Sequence, residues 1–203
     1  MELFDRFARN MRDHGWNNLN ALLSSGITGG FALEIGPGPG YLGLEWLKTA
    51  SGSHVTGCEI SPDMLRLAER NAAEYHFSER TSYVLGSCLH MPFEDGKFDA
   101  VFSNGSLHEW EDPAKAFREI HRVLKPGGRY FVSDMRRDPS PLLKWGIYLR
   151  TKPKEIRPGF LTSLRAAYTE VELRELLLQS PLHNTHIVQG PFGLYFTGER
   201  TEP

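Results

Sequence analysis

The segment from residue 32 to residue 43 constrains the fold of this chain more than any other. It reads Ala-Leu-Glu-Ile-Gly-Pro-Gly-Pro-Gly-Tyr-Leu-Gly, a short apolar run followed by three glycines at alternate positions. Such a run is typical of a strand covered on both faces, as in a parallel sheet. Glycines directly after the strand let the backbone approach a ligand, because no Cβ stands in the way. The segment therefore predicts a strand, a ligand-binding turn and a helix.

The spacing of these glycines separates several classes of nucleotide-binding loop. In the G-x-G-x-x-G pattern of dinucleotide-binding folds, the third small residue allows a helix to pack closely on a strand. Counted from Gly36, that position is Tyr41, which is far too large for the role. The sequence also lacks the G-x-x-x-x-G-K-[ST] pattern of a triphosphate loop. A nicotinamide oxidoreductase is therefore a weak alternative.

Composition fits one globular domain without cross-links. The chain has 203 residues, of which 40% are hydrophobic, enough to bury a full core. Cys58 and Cys88 lie in apparent core segments with no C-x-x-C pattern, so we expect neither a disulfide framework nor a metal site. No apolar run approaches the roughly eighteen residues of a membrane span, and the first residues alternate charged and apolar side chains without a cleavable apolar core. We expect a cytoplasmic protein, and a net charge of -2 predicts no general affinity for nucleic acid.

Four residues of the glycine segment carry a family resemblance. Glu34, Gly36, Gly38 and Gly40 match an acidic residue followed by G-x-G-x-G, which resembles motif I of the class I S-adenosylmethionine (SAM) dependent methyltransferases. The resemblance continues to about residue 135, where a helix, a Lys-Pro-Gly-Gly turn and a strand look like the ubiquinone/menaquinone-methyltransferase-like branch. It implies an α/β, Rossmann-like, doubly wound and mostly parallel seven-stranded sheet, with an antiparallel last strand and a lid insertion after strand five.

The resemblance also implies SAM as the cofactor and S-adenosylhomocysteine as its product. Independently, Glu59 ends the second predicted strand about twenty residues beyond the loop, where a carboxylate can accept two hydrogen bonds from a ribose diol. Ser87 stands where the family commonly has an aspartate that binds the adenine amino group, so the serine offers a weaker contact. The predicted cofactor-binding residues are Glu34, Gly36, Gly38, Gly40, Tyr41, Glu59, Ile60, Ser87, Cys88, Leu89, Ser103 and Asn104.

The fourth predicted strand delivers residues 104–108 to the carboxyl edge of the sheet, where ligands bind in open α/β folds. His108 is a candidate general base, since an ordinary imidazole titrates near neutral pH; its alternative is a pocket-lining role. Tyr148 and Tyr168 are two further candidates for directing a proton. Residues 103–106 lack the [DNS]-P-P-[YFW] motif of many enzymes that methylate amide or exocyclic amine nitrogens, so methylation of a nucleobase is disfavoured.

The segment 136–168 carries eight basic and two acidic residues, a local charge of +6 against -8 for the rest of the chain. Apolar and aromatic residues are interspersed with the bases. We expect this segment to close over a small-molecule acceptor that is anionic or partly apolar. Two alternatives stay open: a lid whose bases are simply solvated, and a basic amphipathic segment that docks on an anionic membrane surface.

These patterns predict one methyltransferase domain over residues 1–203, with an N-terminal helical cap over 1–28 and a substrate lid over 136–168. A capping box at Thr169 and Glu172 predicts a helix, followed by a hairpin over 186–197. The predicted reaction is in-line methyl transfer to a small molecule, in which alignment matters more than dedicated catalytic groups. The alternatives are a non-catalytic SAM-binding or regulatory module, and a methyltransferase that acts on a protein or a lipid-like acceptor. The acceptor, the methylated atom and the oligomeric state stay open.

Overall fold

The computed structural model describes residues 2–201. Strands and helices alternate through most of the chain, as the sequence predicts. The strands are β1 (Phe31–Ile35), β2 (His54–Glu59), β3 (Thr81–Leu85), β4 (Phe98–Asn104), β5 (Leu124–Met135), β6 (His186–Gln189) and β7 (Gly193–Glu199). The helices are α1 (Glu2–Asp13), α2 (Leu19–Ser24), α3 (Tyr41–Thr49), α4 (Pro62–Glu74), α5 (Pro113–Val123), α6 (Pro141–Arg150), α7 (Arg157–Ala166) and α8 (Glu170–Leu178).

The seven strands form one sheet in the order β3-β2-β1-β4-β5-β7-β6. The pairs β3-β2, β2-β1, β1-β4 and β4-β5 are parallel, and β7 is antiparallel to both β5 and β6. This confirms the predicted α/β architecture with an antiparallel last strand. The chain reverses its direction of winding between β1 and β4, so a crevice opens at the carboxyl ends of these two strands.

Successive residues of the central strands pack into two different apolar layers, because side chains alternate between the faces of a sheet. Leu33 and Val101 belong to the layer covered by α5 and α8. Ala32 and Phe102 belong to the layer covered by α2 and α3, where Trp46 is completely buried. Both faces are therefore covered, which explains the near-continuous apolar sequence of β1.

Helix starts follow the predicted capping residues. The Ser61 side chain accepts a hydrogen bond from the Met64 N–H at the start of α4, in the position that favours serine. Thr169 and Glu172 form the complete capping box of α8. These local signals place the helices whose first turns border the crevice.

The Lys-Pro-Gly-Gly segment is where the predicted strand boundary is wrong. The sequence indicates a turn over 125–128 and a strand from residue 129, but β5 already begins at Leu124. Leu124 pairs with Phe98, and the next pairing joins Arg129 to Ala100. The extra residues on β5 form a bulge that contains Gly127 at a φ of 74°. A bulge keeps the strand paired while it absorbs residues that an unbroken ladder would not hold.

The insertion after β5 is helical, with α6 and α7 joined by a short 3₁₀ turn, Lys154–Ile156. This turn contacts α1, and α7 contacts a second 3₁₀ turn, Leu107–Glu109, at the carboxyl end of β4. The insertion therefore lies across the crevice edge of the sheet. Among the helices of residues 2–201, none is both long and apolar enough to cross a bilayer.

Candidate active site

The glycine turn between β1 and α3 depends on backbone conformations that favour glycine. Gly36, Gly38 and Gly40 have φ values of 61°, 52° and 82°, in the left-handed region that other residues enter at a cost. A Cβ on Gly36 would lie 2.9 Å from the Ser106 side chain, and one on Gly40 would lie 3.0 Å from the Tyr83 hydroxyl. The three glycines therefore leave a concave backbone surface, here called the cradle, that side chains would fill. Such a surface fits close approach of a nucleoside cofactor.

Glu59 links the end of β2 to this turn. Its buried carboxylate accepts hydrogen bonds from the Gly38 N–H at 3.1 Å and from the Ser61 N–H at 2.9 Å. The carboxylate thus lies beside the glycine turn at the crevice, where the sequence places a ribose-binding acid. The adjacent Ile60 is exposed, so an apolar surface lies next to the carboxylate. The flat nucleobase of a nucleoside cofactor would pack against such a surface.

Glu34, by contrast, lies beneath the turn. Its side chain packs directly against Gly43, so that even a Cβ there would collide with the carboxylate. Burial raises the pKa of Glu34 to about 8; a hydrogen bond from the Gly43 backbone opposes this, and the charge of Glu59 adds to it. Gly43 is in the first turn of α3, whose N-cap Gly40 offers no side chain. The Glu34 carboxyl therefore accepts a hydrogen bond from the first turn of α3, where backbone N–H groups lack partners within the helix, while its cofactor contact stays a prediction.

Tyr41, the residue too large for a dinucleotide loop, anchors helix α1. Its hydroxyl donates to the buried carboxylate of Asp5 at 2.7 Å, and Arg70 and Arg9 donate to the same carboxylate at 2.8 and 3.0 Å. Phe4, one residue earlier, lies 3.6 Å from the position of a Cβ on Gly38. Helix α1 therefore rests on the glycine turn, and sequence analysis missed Asp5 because nothing local marks its partner.

The residues after β3 form the next wall of the crevice. The Ser87 hydroxyl accepts a hydrogen bond from the Leu89 N–H at 3.2 Å, and Ser87 forms an isolated bridge with His90. Cys88 packs against the apolar layer under α5, and burial raises the pKa of its thiol to about 11. Cys88 is thus a protonated packing residue at neutral pH. Direct contact of Ser87, Cys88 and Leu89 with a cofactor stays a prediction.

Polar contacts join the end of β4 to β1 and to the N-terminal segment. The Ser103 hydroxyl donates to the Ile35 carbonyl at 2.8 Å and lies 2.7 Å from the Ser106 hydroxyl. The Asn104 side-chain oxygen accepts from Asn18 and from Ser133, each at 2.8 Å. Ser103 and Asn104 therefore connect the end of β4 to β1, to β5 and to the N-terminal segment, between the glycine turn and β5.

His108 and Asp134 form the most extensively hydrogen-bonded pair among the candidate catalytic residues. Asp134, near the end of β5, accepts from the His108 backbone N–H at 2.8 Å, and its carboxylate oxygens lie 2.9 and 3.1 Å from His108 Nδ1. Both side chains are buried. Burial lowers the pKa of His108, but the hydrogen bond and charge of Asp134 outweigh this effect, so the net shift is upward. Nδ1 faces Asp134, while Nε2 lies 3.8 Å from a carboxylate oxygen of the exposed Glu109, beyond hydrogen-bond distance.

The two candidate tyrosines lie in different places. Tyr168 packs against the apolar layer, burial raises the pKa of its hydroxyl, and the charge of Asp134 contributes in the same direction. Tyr168 therefore lies on the His108 side of the crevice. Tyr148 is on α6, under the guanidinium of Arg157 at 5.2 Å, and lines a groove between α6 and α7. Its role as a proton carrier stays a prediction.

Helix α7 anchors the insertion after β5. Phe160 and Leu164 are buried, and the Phe160 ring stacks on Phe192 with centroids 6.0 Å apart. Helix α7 contacts the turn that carries His108. The pair His108–Asp134 thus lies at the sheet edge beneath a helix, a place where water can be excluded. Within residues 2–201, no cluster of histidine, cysteine and acidic side chains could hold a metal ion.

Comparison with known proteins agrees with the geometry. The family described as "Methyltransferase domain" (Methyltransf_11) matches residues 33–132. The demethylmenaquinone methyltransferase of Thermus thermophilus is 33% identical over 139 residues, which cover 67% of this chain and 61% of the relative. The ubiquinone/menaquinone biosynthesis C-methyltransferase UbiE of Cereibacter sphaeroides is 29% identical over 113 residues, which cover 56% of this chain and 45% of the relative. The chain spans about half the length of the curated relatives it matches.

A solved structure supports the fold. The crystal structure of a SAM-dependent methyltransferase from Aquifex aeolicus superposes with a TM-score of 0.70 at 16% identity, covering 90% of this chain and 88% of that one. The family match covers the glycine turn, Glu59 and the His108 turn in one alignment. Sequence and fold agree, and the chain belongs to the class I SAM-dependent methyltransferase family.

Proposed function

We propose that this chain transfers a methyl group from SAM to a small aromatic acceptor that carries an ionisable hydroxyl. The observation that carries the proposal is the buried pair His108–Asp134, located at the same sheet edge as the glycine turn. The names of two relatives, a demethylmenaquinone methyltransferase and a ubiquinone/menaquinone biosynthesis C-methyltransferase, support an aromatic, partly apolar acceptor. The second name also supports transfer to carbon.

The residues divide the work between two sides of the crevice. The glycine turn and Glu59 would hold SAM through backbone N–H groups and the carboxylate. Bound SAM would supply an electrophilic methyl group. His108 would accept the proton of the acceptor hydroxyl at Nε2, while Asp134 holds Nδ1–H and stabilises the imidazolium that forms. The resulting phenolate is a better carbon nucleophile than the neutral ring, so the base contributes before the carbon–carbon bond forms. The ring carbon would take the methyl group as the sulfur–methyl bond breaks. Loss of the ring C–H proton to solvent, with return of the proton from His108 to the oxygen, would restore the hydroxylated aromatic ring.

The proposal is tested by measuring S-adenosylhomocysteine formation against a panel of hydroquinones, phenols and aliphatic carboxylic acids. We expect turnover with hydroxylated aromatic acceptors. Activity should decline as pH falls through the raised pKa of His108, because only the neutral imidazole accepts a proton. Asp134→Asn should move that decline to lower pH. SAM binding without turnover on any acceptor would instead support the non-catalytic module.

A further inference from the structure

Helix α6 presents an apolar face to solvent. Leu142, Trp145 and Leu149 are 79%, 62% and 44% exposed, and spacings of three and four residues place them on one side of the helix. Leu143 and Ile147, on the other side, are only partly buried, and α6 contains no buried residue. A group of large apolar side chains that the protein leaves uncovered indicates a binding surface.

Unpaired positive charges lie on α6 and in the residues that directly follow it. Lys144, Arg150, Lys152 and Lys154 are exposed, and none of the four forms an ion pair with any residue of 2–201. The two arginines at the start of the insertion differ, since each is paired with a carboxylate. Between residues 139 and 168 the only acid in the sequence is Glu155. Helix α6 therefore combines an exposed apolar face with exposed, unpaired cations on the helix and within four residues of its end.

We propose that α6 docks this protein on an anionic membrane surface. The helix would lie in the plane of the interface, with Leu142, Trp145 and Leu149 among the headgroups and the four cations against anionic lipid. Tryptophan is well suited to this depth, because its ring is amphipathic. At 10 residues α6 is too short to span a bilayer, so the contact is peripheral.

The composition of the surface favours a bilayer over a second copy of the chain. In a two-fold dimer the same patch faces itself, which would bring the four cations of one protomer against those of the other. Like charges at an interface oppose association. An anionic lipid surface satisfies the cations and the apolar face together.

Hydrogen bonds between α6 and α7 connect the docking surface to the helix that contacts the His108 turn. Arg157, at the start of α7, donates to the carbonyls of Leu149 and Thr151 at the end of α6, at 2.5 and 3.2 Å. An apolar groove between the two helices is lined by Pro141, Trp145, Tyr148 and Leu161, among others. A lipid-like molecule leaving a membrane at α6 would meet this groove first. The docking itself does not depend on the proposed methyl transfer.

The test is co-sedimentation with vesicles of phosphatidylcholine alone or enriched in phosphatidylglycerol. We expect capture by the phosphatidylglycerol vesicles and release by salt. Each of Lys144→Gln, Lys152→Gln and Lys154→Gln should lower the partition coefficient by about fivefold. The pair Leu142→Ser and Trp145→Ser should abolish capture. Leu178→Ser on α8 is the matched control, because Leu178 is 66% exposed and far from any such charge cluster in the sequence.

Three results would overturn the proposal. One is failure of the unmodified protein to bind the phosphatidylglycerol vesicles at all. The second is equal capture of the α6 variants and the Leu178→Ser control, with circular dichroism showing that all are folded. The third is self-association in sedimentation velocity that Trp145→Ser removes, which would assign the surface to a second copy. Because this assay scores binding without methyl transfer, its failure would leave the proposed function standing.

Discussion

The two sides of the crevice hold their functional groups in different ways. On the β1–β2 side the contacts are made largely by backbone: glycines at positive φ and N–H groups that bind the carboxylate of Glu59. On the β4–β5 side, side chains bind side chains, as in His108 with Asp134 and Asn104 with Asn18. The first side has one conformation that the chain dictates locally. The second side depends on residues that the fold brings together.

This difference explains what each side can do. A backbone cradle suits a ligand that is the same in every member of a family, because substitutions elsewhere leave it unchanged. A cluster of side chains beneath an inserted helix suits a variable acceptor, since each group can be exchanged without rebuilding the sheet. We therefore assign the cofactor to the first side and the acceptor chemistry to the second, and the following variants test that division.

The largest effect is expected on the acceptor side, from His108→Asn. Loss of a general base lowers turnover by about 10²- to 10⁴-fold, while the affinity for S-adenosylhomocysteine should not change. Steady-state kinetics and calorimetric titration measure the two quantities. His186→Asn, at an exposed histidine on β6, is the control and should retain activity. Full turnover by His108→Asn would show that His108 is not the general base.

A smaller effect, on the order of a few kcal/mol, is expected on the cofactor side from Glu34→Gln. Burial raises the pKa of Glu34 to about 8 from an ordinary 4.5, so the folded state holds a proton that the unfolded state releases. The free energy of unfolding from this group is therefore greatest below pH 4.5 and declines as pH rises to about 8. The difference between wild type and Glu34→Gln in urea unfolding should change over that window. A difference independent of pH would contradict the burial of a neutral carboxyl.

Gly36→Ala should destabilise the protein by about 2 kcal/mol or more. The left-handed conformation costs a residue with a Cβ about 1–2 kcal/mol, and the new atom would also lie 2.9 Å from Ser106. Gly52→Ala separates the two causes, because Gly52 has a φ of 71° but open space around its Cβ position. Urea unfolding of both variants measures the difference. Equal destabilisation would show that Ser106 yields to the methyl group and that the cradle is looser than described.

The smallest effect, about 1 kcal/mol, is expected from Tyr41→Phe. The change deletes the hydroxyl that donates to Asp5 at 2.7 Å, and a hydrogen bond of this kind contributes about 0.5–1.5 kcal/mol or somewhat more with a charged acceptor. Asp5 keeps its bonds from Arg9 and Arg70, so α1 should stay in place. Thermal unfolding and proteolysis near α1 measure the change. Complete loss of α1 protection would mean that Tyr41 alone holds the helix.

The sequence predicts the cofactor side better for a physical reason. Gly36 to Gly40 and the capping residue Ser61 satisfy backbone requirements within a few positions, so their pattern is visible along the chain. Asp134 is 26 positions from His108 and meets it only because β4 and β5 are neighbours. The one sequence feature that marks Asp134 is its position as an acidic residue at the carboxyl end of a predicted strand. Asp5 gives no signal, because its partner Tyr41 is 36 positions away.

Two features could not be predicted because they depend on packing. Glu34 fits a family motif, yet the structure places its carboxyl beneath the glycine turn against Gly43. The face of β1 on which Glu34 lies decides whether its carboxyl is buried or reaches the crevice. Because the other residues of β1 are apolar on both faces, the sequence does not indicate which outcome occurs. The exposure of the α6 face is likewise invisible in sequence, since Leu142 and Trp145 look like core residues.

We expect the glycine turn and Glu59 to bind the cofactor and the His108–Asp134 pair to contribute no affinity for it, and calorimetric titration of S-adenosylhomocysteine measures both contributions. We expect Glu59→Gln, shown to be folded by circular dichroism, to bind S-adenosylhomocysteine about tenfold to a hundredfold more weakly than wild type, because a charge-assisted hydrogen bond to a diol is lost. His108→Asn should bind as wild type does. Equal affinity of Glu59→Gln and wild type, or a large loss in His108→Asn, would contradict the division of the crevice.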